Sequence, residues 1–372
     1  MKTIGLCMIV KNEAPVIRRC LDSVRPLVDY VLIADTGSSD DTREIIASYL
    51  KEYSIRGEVL NHEWKNFAHN RTEVVKALRK VTWVDYAVVI DADEVFVYDE
   101  GFSPQVFKES LSHDLYDVQT RSGSTVYLRP ELFSNRMDFH YRSVLHEFLQ
   151  SPPRATRALA TGFHNLRRPD GARARDKNTY HRDVEVLREA LLHEQDPFLR
   201  SRYRFYLAQS LRDAGELEQA IAAYQHRAQL GYWIEEVFVA LYQAAVLMER
   251  LERPVDEVLA AYLRAHDELP GRAEALHGAA RICRKAKRYE EAYYFAKRGR
   301  PIKPAADALF LETGTYDYGL IDEQQISAYW TGRFKESLEL SEQLLKEAKF
   351  PEAQRQRIEA NRDVTRKKLS AS

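Results

Sequence analysis

Between Thr3 and Ile90 four short apolar runs alternate with three stretches of helical periodicity, and this order constrains the fold more than any other feature of the chain. The pattern predicts strands over residues 3–10, 30–34, 57–61 and 86–90, and helices over 14–24, 41–52 and 71–80. A β-α-β-α order builds a mainly parallel sheet with right-handed crossovers. Ligands of such sheets gather beyond the carboxyl ends of the strands. Four segments are expected there: Lys11 to Glu13, Asp35 to Asp41, Phe67 to Arg71, and Asp91 to Glu94.

In the last of these, Val88-Val89-Ile90-Asp91-Ala92-Asp93-Glu94, a β-branched run stops and three carboxylates follow within four positions. In an extended chain Asp91 and Asp93 point to one side, where they converge on a hard divalent ion, with Asp93 the leading ligand. Oxygen ligands suit Mg²⁺ or Mn²⁺, ions that keep open positions for substrate phosphates. The competing reading is an acidic turn that ends a buried strand.

Composition narrows the function. A chain of 372 residues is long enough for two cores. Lys and Arg (55) nearly balance Asp and Glu (56), so no global field points to nucleic acid. Cys7, Cys20 and Cys283 show neither disulfide nor zinc spacing, which favours a reducing, cytoplasmic setting. The start reads as lacking a cleavable signal, and no apolar run reaches membrane-spanning length.

The texture changes once, near residue 180, which sets expected domains at 1–180 and 181–372. The second half is helical and repetitive. Ala220 and Ala292 stand two 36-residue periods apart with Asp256 between them, and Tyr224, Ala260 and Ala296 keep the same step. Leu207-Ala208, Ala244-Ala245 and Ala279-Ala280 supply small residues for close packing, while Gly215 and Lys287-Arg288 fall at turns. This resembles tetratricopeptide (TPR) repeats with slightly long units, whose concave surfaces hold peptides or partner subunits; a plain helical bundle is the alternative. The pair over 324–349 reads as a cap, and residues 363–372 as a frayed end.

Val31-Leu32-Ile33-Ala34-Asp35-Thr36-Gly37-Ser38-Ser39-Asp40-Asp41-Thr42 reads as a strand, a tight turn at Gly37 and a helix start capped by Asp40, Asp41 or Thr42. Asp35 has no capping duty in this reading and is free to bind a base N–H or a ribose hydroxyl. Taken in order, Ile9-Val10-Lys11-Asn12-Glu13, the Asp35 to Thr42 segment, Phe67 with Arg71, and Asp91-Ala92-Asp93 resemble the signature of family-2 nucleotide-sugar glycosyltransferases. The resemblance covers roughly residues 3–180, and some family members carry a carboxyl-terminal repeat domain and glycosylate peptides. It implies a GT-A fold, a Rossmann-like mixed α/β sheet, followed by an all-α TPR-like domain. It also implies a nucleoside diphosphate sugar donor, Mn²⁺ or Mg²⁺, and inversion at the anomeric carbon.

By that resemblance Val10, Asn12, Glu13, Asp35, Arg71, Asp91 and Ala92 line the nucleotide, and Asp93, Asp91 and His164 hold the metal, with His146 a weaker candidate. Glu147, in Leu145-His146-Glu147, takes the place of the general base. The basic stretch from Arg167 to Lys177 is either a loop that closes over the diphosphate or a solvated linker. Asn70-Arg71-Thr72 departs from the usual Ala-Arg-Asn, and Tyr98 to Phe139 shows no motif although it should hold the acceptor-side strands.

The expected function is a metal-dependent inverting hexosyltransferase, with UDP-glucose the default donor and a peptide, protein, saccharide or lipid-linked glycan acceptor presenting a hydroxyl or thiol. The repeats tilt the choice toward protein, and dimerisation through them is expected. The rivals are a nucleotidyltransferase and a TPR scaffold with an inactive GT-A domain.

Overall fold

The computed structural model describes every residue except Ser124, Pro169, Lys177, Ala306, Asp307 and Ser372, and it leaves out the side chains of Thr125, Ala174 and Arg175. The chain divides into Met1–Ala190 and Leu191–Ser372, a boundary that falls inside one helix.

The first unit opens with β1 (Ile4–Val10), α1 (Ile17–Val24), β2 (Tyr30–Asp35), α2 (Thr42–Glu52), β3 (Arg56–Asn61), α3 (Phe67–Arg79) and β4 (Tyr86–Val89). It continues with β5 (Glu94–Tyr98), α4 (Pro104–Ser110), β6 (Leu115–Ser122), β7 (Thr125–Ser134), β8 (His140–Arg142), β9 (Phe148–Gln150), β10 (Arg157–Leu159), β11 (Phe163–Arg167), α5 (Ala172–Arg175) and α6 (Thr179–His193). The main sheet runs β3-β2-β1-β4-β7-β6-β11-β5, with β10 beside β6, while β8 and β9 pair separately. β3, β2, β1 and β4 are parallel; β7 is antiparallel to both β4 and β6. This mixed sheet is of the kind that the GT-A resemblance implies.

The alternation of side chains explains the layers. Ile4, Leu6, Met8 and Val10 of β1 enter a core with Ile17, Cys20, Leu21 and Val24 of α1 and with Ile46 and Tyr49 of α2. Cys7 enters a second core with Val74, Val75 and Leu78 of α3. β2 and β4 divide their side chains the same way, Val31, Ile33 and Val88 to one core and Leu32, Ala34 and Val89 to the other. Strands covered on both faces read as unbroken apolar runs, which is why the first 90 residues are so legible. The edge strand β3 instead has only exposed and partly buried positions.

The second unit is helical among the described residues. It holds α7 (Pro197–Asp213), α8 (Leu217–Ala228), α9 (Ile234–Arg250), α10 (Val255–Glu268), α11 (Glu274–Lys285), α12 (Tyr289–Gly299), a π-helical turn Thr315–Gly319 leading into α13 (Leu320–Trp330), α14 (Phe334–Glu347) and α15 (Arg355–Ser370). The turns inside successive pairs share one device: Gly215, Glu252, Lys287 and Gly332 are left-handed. The next N–H in each bonds five residues back, Glu216 to Leu211, Arg253 to Met248, Arg288 to Cys283 and Arg333 to Ala328. A Cβ on Gly278 would lie 2.4 Å from the Tyr262 ring, so α10 and α11 meet only because position 278 is glycine.

Two expectations for this unit are corrected. The equal 36-residue step is not kept, because Ala220, Val258 and Ala292 are the equivalent buried residues, 38 and then 34 apart, as are Tyr224, Tyr262 and Ala296. Asp256 and Ala260 face solvent instead. The end is not frayed: α15 runs to Ser370 and buries Ile358 and Thr365, with Phe350 and Ile358 sharing a core with Leu340 and Leu344. α15, rather than the pair before it, closes the array. No helix of the described residues is long and apolar enough to cross a membrane.

Candidate active site

All four segments lie at the carboxyl edge of the parallel strands, and hydrogen bonds stitch the first two together. Asn12, left-handed at φ 58°, accepts the Ser39 N–H through Oδ1 at 2.7 Å and donates its own N–H to Ser38 Oγ at 2.9 Å. The Glu13 N–H reaches Thr42 Oγ1 at 2.8 Å, and Asp40 accepts from Ala14 N and Thr42 N, both at 3.2 Å. Asp40 thus caps α2 while Asp41 does not. Val10 contributes its carbonyl, which accepts from the Thr36 N–H and hydroxyl.

Asp35 is not wholly free, which corrects the expectation. Its Oδ1 accepts from Gly37 N at 3.0 Å and Ser38 N at 2.9 Å, a local turn made possible by Gly37 at φ 103°. Its Oδ2 is buried without a hydrogen-bond partner.

The acidic run is also not extended. The Glu94 N–H bonds to the Asp91 carbonyl at 3.0 Å, closing a β-turn between β4 and β5 that sends the three acids different ways. Glu94, fully buried, turns inward to Arg129 Nη1 (2.5 Å) and Asn165 Nδ2 (2.8 Å). Asp91 pairs with Arg71 Nη2 and lies 3.7 Å from Arg129. Burial works against its charge, but Arg71 and Arg129 outweigh it and hold the carboxyl down at about 2. Ala92 is buried in the turn.

Asp93 forms no ion pair among the described residues. Burial, with the charges of Asp91 and Glu94, pushes its carboxyl up to about 6. Its backbone carbonyl accepts from Arg168 N (3.3 Å) and Arg19 Nη2 (3.4 Å). The basic loop passes directly over it: a Cβ on Gly171 would lie 3.1 Å from Asp93 Cβ, Cγ and Oδ2. Arg19 holds the loop through Asp170 at 2.8 Å, and Glu13 accepts the Ala172 N–H at 3.1 Å. Arg173 lies 5.2 Å from the Phe67 ring and pairs with Asp183 at 2.5 Å. The loop is therefore tied to the site and not a free linker, although Pro169, Lys177 and the Arg175 side chain lie outside the described residues.

Arg71, buried on α3, joins the two halves of the site. Its Nη2 meets Asp91, its Nε meets Glu147 Oε1 at 2.7 Å, and its Nη1 is buried with no partner. The flanking departures are structural. Asn70 Oδ1 accepts the Lys65 N–H and its Nδ2 donates to the Glu63 carbonyl, while Thr72 accepts the Tyr141 N–H at 2.9 Å. Glu147 sits on a strained loop, since Ser143 (φ 83°) and His146 (φ 50°) are both left-handed without being glycine. Such conformations cost about 1–3 kcal/mol each and collect at functional sites.

His164 is not brought to the turn. It lies on β11 opposite Val97, three residues before Arg167, the partner of Glu94. At about 3.3 Å per residue that is roughly 10 Å along the strand. Burial and Arg121 lower its pKa. Among the described residues no three His, Cys, Asp or Glu side chains gather as a metal cluster. A divalent ion here would be offered Asp93, a turn carboxylate with no ion pair among the described residues, which suits an ion completed by substrate phosphates.

Residues 6–124 match the profile of glycosyl transferase family 2. The amino-terminal unit is a family-2 glycosyltransferase domain. Over 95 residues the chain is 32% identical to the SPbeta prophage-derived glycosyltransferase SunS of Bacillus subtilis, covering 25% of this chain and 21% of SunS. The match to a TPR repeat-containing protein of Synechococcus elongatus is 26% identical over 283 residues, 72% of this chain and 67% of the relative. S. aureus TarS 1–349, solved with UDP-GlcNAc, is 14% identical with a TM-score of 0.38, covering 66% of this chain and 86% of TarS 1–349. At that score the structural match carries no weight, and the assignment rests on the family profile and the SunS match.

The stretch from Tyr98 to Phe139 contributes the residue that sequence reading missed. Arg129 on β7 is 3.1 Å from Glu131 and 2.5 Å from Glu94, with its third nitrogen toward Asp91. Burial and neighbouring Glu94 push Glu131 up to about 8 against the pull of Arg129, and Asn165 Nδ2 bridges Glu131 and Glu94 at 2.8 Å to each. The available signal was two opposite charges at alternate positions leading into the apolar Leu132-Phe133.

Proposed function

We propose that this glycosyltransferase is metal-dependent and inverting, and that it moves a sugar from a nucleoside diphosphate donor, a UDP-sugar by family resemblance, to a hydroxyl or thiol on a peptide or protein. The observation that carries this reading is the pair of unsatisfied buried atoms at one sheet edge, the acceptor Asp35 Oδ2 and the donor Arg71 Nη1. Buried polar groups rarely stay unpaired. A base or ribose donor would complete the first and a phosphate oxygen the second.

Asp93 would hold Mn²⁺ or Mg²⁺ together with the diphosphate, and the ion would supply positive charge against the departing phosphate oxygens. Asp91 is committed to its two arginines, so its part is to orient Arg71 and Arg129. Glu147 keeps Oε2 without a partner among the described residues, and this oxygen takes the acceptor proton as the acceptor oxygen or sulfur bonds the anomeric carbon. The bond from that carbon to the diphosphate oxygen breaks, and the nucleoside diphosphate leaves with the electron pair. The Gly171 loop covers Asp93 and limits water there.

Calorimetric titration of UDP, GDP and UDP-sugars with and without Mn²⁺, on the native chain and on Asp93→Ala and Asp35→Ala, tests this. Metal-dependent binding of one nucleotide, lost in both variants, is the expected result. Release of pyrophosphate from a nucleotide substrate would assign nucleotidyl transfer, and no binding of any nucleotide would leave a scaffold.

A further inference from the structure

The connection between α12 and the π-helical turn does something no repeat turn requires. Its residues from Leu309 to Glu312 lie across the first helices of three successive pairs. Leu309 is clamped at both backbone groups: its N–H donates to Glu235 Oε2 at 3.1 Å and its carbonyl accepts from Arg272 Nη1 at 3.1 Å. Phe310 stacks on Phe205 of α7, with centroids 6.4 Å apart and planes 7° from parallel. Glu312 accepts from the Tyr242 hydroxyl of α9 at 2.8 Å, and its N–H is 3.5 Å from Glu274 Oε1 of α11.

Receptor and occupant differ in how they are built. Arg272 and Glu274 are 2% and 0% exposed and joined to each other at 2.7 Å, Arg272 also meets Glu235 at 2.5 Å, and the Tyr316 hydroxyl donates to Glu274 at 2.6 Å. A buried ion network of this kind is costly unless its geometry is complete. By contrast none of residues 308–314 is buried, and Phe310 is 58% exposed. The clamp reads one residue through its backbone N–H and carbonyl alone, so any extended chain can offer it, and the neighbouring contacts then select an aromatic side chain followed two residues later by a carboxylate.

We propose that residues 308–314 are a resident ligand of the repeat domain, and that the same face receives an extended peptide of a partner protein with an aromatic residue after the clamped one and a glutamate two further on. Partner binding displaces the resident segment. The proposal does not depend on the transfer reaction.

The test uses the full chain with residues 308–312 replaced by alternating Gly and Ser, and a labelled synthetic peptide Ala-Leu-Phe-Leu-Glu-Thr-Gly read by fluorescence anisotropy. The replaced chain is expected to bind the peptide at least about tenfold more tightly than the native chain, whose site is filled. A peptide methylated at the nitrogen of its first leucine loses one charge-assisted hydrogen bond and should bind about tenfold or more weakly. A replaced chain that keeps its thermal transition yet binds no peptide overturns the proposal. So does one whose helicity collapses, since the segment would then be structural, and equal binding of the methylated peptide would overturn the clamp.

Discussion

Replacing Asp93 by Asn should stabilise the metal-free protein at alkaline pH while abolishing its response to divalent ions. The carboxyl is pushed from an ordinary 3.8 to about 6, so holding it ionised would cost about 3 kcal/mol at about 1.4 kcal/mol per pKa unit. Asp93 is only partly buried, and solvent screening reduces this to about 1–2 kcal/mol. The sign follows from proton counting: between about pH 4 and pH 6 the folded chain binds more protons than the unfolded chain, so stability falls as pH rises through that window. In EDTA, Asp93→Asn should therefore match the native chain near pH 4 and exceed it by about 1–2 kcal/mol near pH 8. Urea titration read by hydrogen exchange of the peptide spanning β4 and β5 isolates this domain from the repeats. With Mn²⁺ at about 100 times its dissociation constant the native chain should gain about 2.7 kcal/mol and the variant nothing. A variant less stable than native at pH 8 in EDTA, or the same difference at both pH values, would refute the electrostatic account of Asp93.

Other outcomes are expected. Arg71→Met leaves Asp91 and Glu147 without their shared cation and should destabilise the first unit by about 3–5 kcal/mol, measured by its urea midpoint. Asp35→Asn keeps the Gly37 turn through its remaining carbonyl oxygen, so nucleotide affinity should fall about tenfold or more with little change in thermal stability; an unchanged affinity in calorimetry would remove Asp35 Oδ2 from the binding site. Gly278→Ala drives a methyl into the Tyr262 ring and should cost the repeat domain about 1–3 kcal/mol, visible in its thermal transition. Arg288→Ala, which loses exposed pairs to Asp256 and Glu291, should change that transition by less than about 1 kcal/mol.

The parallel half of the sheet was legible because its strands are apolar on both faces and its helices amphipathic. The observed helix Thr42–Glu52 and strand Tyr30–Asp35 fall within a residue of the sequence reading. The carboxyl-edge segments were legible for the same reason, since a β-α order dictates which loops share an edge. What sequence could not carry was side-chain direction inside a turn. Asp91 and Asp93 stood on one side of an extended run and were expected to share an ion, with Asp93 leading, yet the turn closed by the Glu94 N–H separates an arginine-bound carboxylate from one without an ion pair among the described residues. Arg129 left only the alternation with Glu131 as a local mark, because its other partners, Asp91 and Glu94, lie at the β4–β5 turn, a contact distant in sequence that no local pattern encodes. The repeat register slipped for a related reason: equal spacing of small residues counts chain length, whereas burial at Val258 and Tyr262 counts helix phase.

Because one guanidinium is shared by Asp91 and Glu147, the two acids are not independent parts. Removing either frees Arg71 to grip the other more closely, so the second deletion starts from an altered arrangement. The energetic penalties of Asp91→Ala and Glu147→Ala should therefore not add in the double variant, with an interaction energy of about 0.5–3 kcal/mol. Under the proposed roles the unit of substitution is the whole triad: a new residue at Asp91, on the nucleotide side, would also be a change at Glu147, on the proton-accepting side.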